Sequence, residues 1–166
     1  MTKSSETTVS PTKRIAEYTL EHLLAATRDV HPSPGSGSSG AIALALAASC
    51  AAKAANISLK HEPTDTALHA AAGQFSSLAT EALEAGDEDS AAFEQYIAHG
   101  EKEASAPLAR ASSHFESLID RLEQLMHAVK ARIHPIVAGD FVAATALSRA
   151  ARLIQVRNRS EQDANP

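Results

Sequence analysis

At 166 residues the chain has room for one domain with a real hydrophobic core. Hydrophobic residues make up 44% of it but aromatics only 4%, so small side chains in close helix contact must do much of the packing, and an all-α fold follows. A formal net charge of −5, with no basic stripe interleaved with aromatics, argues against a nucleic-acid partner.

Residues 1–10 are polar and expected to be disordered. Ser10-Pro11 reads as an N-cap with Pro at the first helical position. The helix it opens carries Ile15, Tyr18, Leu20, Leu23 and Leu24 and ends near Thr27. From His31 to Gly40 the density of Pro and Gly dictates a tight turn. An alanine-dominated helix then runs from Ala41 to Ile57, with Ser49, Lys53 and Asn56 on one narrow polar stripe. So apolar a helix belongs in the middle of a bundle. Lys53 and the shortness of the run argue against a membrane span.

Thr64 is placed to cap the next helix, with Leu68, Ala71, Ala72, Phe75, Leu78, Ala79 and Leu83 at helical spacing and Gly86 as a natural stop. Asp87-Glu88-Asp89-Ser90 then begins a stretch through Phe93 and Ile97, in a direction nearly continuous with the helix before it. Pro107 marks the start of another helix, buried through Leu108, Phe115, Leu118, Ile119, Leu122, Leu125, Met126 and Val129. Asp140, after Gly139, is placed to cap the last one, and from residue 159 the tail reads as loose. The sum is an up-and-down bundle of about six helices around the alanine-rich one, a single domain over residues 11–158.

Two places carry candidate chemistry. Glycines before the central helix leave its first amides free at the positive end of the dipole, a place for an anion or a polarised carbonyl, or else simply a loop before a core helix. Asp89, in an acidic run, suits the favourable first turn of a helix, and Asp140 suits a cap, which faces the open end of the bundle where a pocket would lie. The histidines show no metal-ligand spacing, and no metal site is expected. Cys50 stands alone, consistent with a reducing cytoplasm.

Three segments, in order, resemble the cyclodeaminase/cyclohydrolase family, which includes formiminotetrahydrofolate cyclodeaminase and methenyltetrahydrofolate cyclohydrolase. Pro32-Ser33-Pro34-Gly35-Ser36-Gly37-Ser38 leads to Asn56-Ile57-Ser58 as the family's Pro-Thr-Pro-Gly-Gly-Gly-Ser leads to Asn-Leu-Thr. Asp89-Ser90-Ala91-Ala92-Phe93 matches its Asp-x-x-Ala-Phe, and Asp140-Phe141-Val142-Ala143-Ala144 through Val156-Arg157-Asn158 is similar to its last helix. The middle glycine of the triple is Ser36, and the family's Tyr-Lys-x-Pro-Lys loop is not found between Glu94 and Ala106, where Tyr96 and Lys102 are poor substitutes.

The resemblance implies a cytoplasmic, all-helical homodimer acting on C–N bonds of a tetrahydrofolate, with no cofactor beyond that substrate. It implies Asp89 and Asp140 as catalytic carboxylates and Pro34, Gly35, Ser36, Gly37 and Ser38 as the folate cradle. Lys60 and Arg157 are the candidates for the folate's glutamate carboxylates. The two departures keep a second reading open, a non-catalytic helical dimer that binds a small molecule or serves as a scaffold.

Overall fold

The computed structural model describes residues 13–99 and 101–164. A 3-10 turn at Ile15–Glu17 precedes five α-helices: α1 Leu20–Thr27, α2 Ser36–His61, α3 Thr66–His99, α4 Glu101–Val129 and α5 Ala138–Ala164. Short 3-10 turns at Lys130–Arg132 and Pro135–Val137 join α4 to α5. Central α2 packs against α3 on one side and α5 on the other, and α4 closes the bundle against both. The core follows from the sequence spacing: Leu44, Leu68, Phe75, Leu78, Leu118, Ile119 and Leu122 are almost completely buried, with a seam of buried alanines along α2. By length and composition α2 could cross a bilayer; here half of its most apolar window is covered by its neighbours.

The expected all-α bundle is observed, with five α-helices rather than about six among the described residues. The difference lies at Gly86. It does not stop a helix, and α3 runs through it without a break. A Cβ there would stand 2.5 Å from Ala41 Cβ and 2.7 Å from Ile15 Cδ1, so this glycine serves close packing of α3 on α2 rather than termination. Likewise α4 begins before Pro107 and holds the proline in its interior, forgoing one backbone bond.

Helix ends differ from expectation in five further places. Gly35, not a residue near Gly40, precedes the first residue of α2, so the glycine–serine segment is helical. Asp65 rather than Thr64 caps α3, accepting the amides of Ala67 and Leu68 at 3.0 Å. Asp140 lies inside the first turn of α5, not at its cap. The expected loose tail is helical through Ala164, where Arg159 reaches Glu116 on α4 at 2.6 Å and Arg157 pairs with Glu161 one turn on. The first α-helix is also shorter than expected: Thr19 caps it, its hydroxyl accepting the amide of His22, so Ile15 stands in the 3-10 turn and Tyr18 in extended chain before it; Ser10 and Pro11 lie outside the described residues.

Candidate functional site

The turn of α3 from Gly86 to Ser90 builds the site. With Gly86 letting α3 approach α2, the next four residues fan out at about 100° per residue, the first toward the N-terminal segment, the second toward α4 and the last two toward α2. Asp87 Oδ1 accepts the amide of Ile15 at 2.8 Å and ties down the segment before α1. Glu88 meets His114 Nδ1 of α4 at 3.0 Å. Asp89 is turned to the first turn of α2, and Ser90 Oγ lies 2.9 Å from Ser38 Oγ in a buried pair that pins the two helices together.

The Asp89 carboxylate rests directly on the Cα of Gly37. A Cβ at position 37 would fall on Asp89 Oδ2 and 2.7 Å from its Cγ, so any larger residue would displace the carboxylate. Burial raises the pKa of Asp89 above its usual 3.8, because removing water penalises the charged form. Among the described residues no hydrogen-bond donor meets it.

In front of this contact opens a cavity of about 420 Å³. Gly35, Ser36, Gly37 and Ser38 form its floor with Asp89 and Ser90. Phe93 and Tyr96 continue along the same face of α3 at spacings of four and three, while Ser105, Leu108 and Ala109 come from α4 and Asn158 and Glu161 from α5. The helix ladder of α2 starts with the Ser39 amide on Gly35 O at 3.0 Å. The amides of Ser36, Gly37 and Ser38 precede it and have no protein acceptor among the described residues. Ser36, the residue that replaces a family glycine, donates its hydroxyl to Asn158 Oδ1 at 2.9 Å and so bridges α2 to α5 across the rim.

Of the expected site residues, Gly35, Ser36, Gly37, Ser38 and Asp89 converge on this cavity, and Pro34 stands just behind it on the groove beyond Ser38. The others do not. Asp140 is bound to Lys53 Nζ at 2.7 Å, about 27 Å along α5 from Asn158. Lys60 lies roughly 36 Å along α2 from Ser36, beside Lys53 and Asn56. Arg157 holds Glu161 at 2.8 Å. Ser105, Leu108 and Glu161 were not anticipated, since their place depends on how α4 and α5 dock; Ser90 was not singled out either, although it follows Asp89 on α3 and meets Ser38 of α2. Phe93, Tyr96 and Asn158 could have been found by following Asp89 along one helix face and Ser36 across to the last helix.

A carboxylate whose charge is disfavoured thus stands beside the open amides of α2 on the floor of a partly apolar cavity, in an all-helical bundle. Residues 19–114, more than half of the chain, match the formiminotransferase-cyclodeaminase family, and the chain belongs to that family. The fold is similar to formiminotetrahydrofolate cyclodeaminase from Thermotoga maritima, with a TM-score of 0.78 and 18% identity over 89% of this chain and 79% of that one. No curated protein sequence matches the chain.

Proposed function

We propose that the protein is an enzyme of tetrahydrofolate one-carbon chemistry, a 5,10-methenyltetrahydrofolate cyclohydrolase or a 5-formiminotetrahydrofolate cyclodeaminase, with Asp89 as general acid and base. The observation that carries this reading is the desolvated Asp89 carboxylate seated on Gly37 beside the open amides of α2, inside the family-matched segment. In cyclohydrolysis water adds to the carbon between N5 and N10 while Asp89 takes the water's proton. The C–N bond to one nitrogen then breaks as Asp89 returns the proton to that nitrogen, while the hydroxyl on the tetrahedral carbon loses its own proton to solvent and becomes the formyl oxygen. In cyclodeamination N10 attacks the formimino carbon, Asp89 takes the proton from N10 and delivers it to the departing ammonia. Either route passes through a tetrahedral carbon and needs only proton transfers. A carboxylate with a raised pKa suits both halves of the shuttle, and the open amides of Ser36, Gly37 and Ser38 suit a polarised oxygen of the pterin.

We take the working form to be a cytoplasmic homodimer. Support for self-association comes from Leu46 on α2 and Leu153 and Val156 on α5, large apolar side chains 51%, 71% and 61% exposed on a single chain. The central test follows the 5,10-methenyl chromophore, and in parallel the ammonia released from 5-formiminotetrahydrofolate, with wild type and Asp89→Asn. Wild type should accelerate one of the two reactions and the variant should be slower by about 10²–10⁴-fold. Equal rates for the two proteins would remove the assignment of Asp89.

A further inference from the structure

The cations expected at the folate's carboxylates stand away from the cavity or are already paired, and the charged side chains lining it among the described residues are the carboxylates of Asp89 and Glu161. Glu161 is held by Arg157, and no free cation among the described residues lines the cavity to receive an anionic tail. Behind the Ser38–Ser90 pair lies a second groove of about 300 Å³ that shares Ser33, Ser38 and Ser90 with the cavity. Its outer wall is the segment before α1: Lys13, Arg14 and Tyr18. Lys13 Nζ is held 4.8 Å over the Tyr18 ring and has no carboxylate partner among the described residues. Arg14 already gives Nη2 to Glu17 at 2.6 Å, and Asp87, the groove's own carboxylate, accepts the Ile15 amide with one oxygen. Lys13, one turn from Glu17, is thus the groove's cation that forms no ion pair among the described residues, presented from a segment that Asp87 anchors to the same turn of α3 that carries Asp89.

We propose that this groove is the subsite for a carboxylate-bearing tail of the ligand whose reacting end occupies the cavity, with Lys13 as its principal contact. The inference rests on the folate reading: the two ends of such a ligand differ in charge, and the two recesses, joined at the Ser33 rim, differ in the same sense. The pterin end takes the amides and Asp89; the glutamate end passes over Ser33 to Lys13.

The experiment is a binding titration, free of turnover, with 5-formyltetrahydrofolate and with the matching 5-formyltetrahydropteroate, which lacks the glutamate. Wild type should bind the glutamyl ligand about tenfold more tightly at low salt, and the preference should shrink as ionic strength rises. Lys13→Glu should erase the preference and leave the pteroate affinity unchanged, while Lys13→Arg keeps it; a thermal melt confirms that the exposed substitution leaves the fold intact. If wild type binds both ligands equally, or Lys13→Glu weakens both alike, the tail subsite is overturned and the folate reading stands. If wild type binds neither ligand, both fall together.

Discussion

Gly37→Ala separates the site from the fold more sharply than any change to Asp89 itself. The added Cβ would occupy the space of Asp89 Oδ2 and stand 2.7 Å from Cγ, so the carboxylate must rotate away from the first turn of α2. Rotation to a strained side-chain angle costs about 0.5–1.5 kcal/mol. Against this, alanine is favoured over glycine in a helix by up to about 1 kcal/mol, less in the first turn. Moving a half-buried carboxylate toward water also relieves the desolvation that raises its pKa. These terms oppose one another, and the net change in stability should stay within about 1 kcal/mol, or roughly 2–4 °C in Tm for a chain of this size. Catalysis has no such compensation. Misplacing the proton-transfer group by about an ångström should cost on the order of 10²-fold in kcat. Paired thermal melts and assays of methenyl decay or ammonia release read both quantities. Wild-type turnover in Gly37→Ala would show that the carboxylate does not act from its seat on the glycine. A loss well beyond about 3 kcal/mol would show that Gly37 serves packing instead.

The other expectations follow from the same geometry. Because the folded pKa of Asp89 is raised, its ionisation works against folding: the protein loses stability as pH rises from the usual 3.8 through the folded value. Asp89→Asn should therefore be more stable than wild type at neutral pH, and urea titrations at several pH values should show that advantage fading toward pH 3.8. Asp140→Asn should leave turnover unchanged, since Asp140 is paired to Lys53 at 2.7 Å outside the cavity, and should cost under about 1 kcal/mol. Gly86→Ala should destabilise by roughly 1–3 kcal/mol and slow the reaction as well, by forcing α3 off Ala41 and Ile15. Arg152→Met should lower Tm by about 2–4 °C through loss of the contacts to Asp120 and Glu123 at 2.6 and 2.8 Å, with a smaller effect in 1 M salt.

Which helices exist, and which faces they bury, was legible because alanine, leucine and phenylalanine recur at helical spacing in α2, α3 and α4. Where helices stop was less so. Gly86 and Pro107 are breakers by local preference, and each sits inside a helix because tertiary contact outweighs a local cost of about 1–3 kcal/mol. The site divides in the same way. Asp89 and the 35–38 turn come together, as the order of the resembling motifs suggests, whereas Lys60 stands at the far end of α2 from Ser36, Arg157 is taken by Glu161 one turn on, and Asp140 is held by Lys53 once α5 docks on α2. No local signal pointed to Lys13, which lies far from Asp89 in sequence and stands on the neighbouring groove, on a segment that Asp87 ties down through the Ile15 amide.

The acidic run Asp87-Glu88-Asp89 looked like the chemistry of a helix start, since carboxylates gather where the dipole is positive. It stands instead in mid-helix, where three consecutive carboxylates gain nothing from the dipole of their own helix. Each is accounted for by something outside α3: an amide of the N-terminal segment, a histidine of α4, and the first turn of α2. Asp89 faces the first turn of α2 only because Gly86 and Ala41 are small enough to bring the two helices together. A bulkier seam would hold the helices apart and let water reach the carboxylate. The scarcity of large side chains, which first pointed to an alanine-packed bundle, is thus also the physical reason why this carboxylate is withdrawn from water and its pKa raised.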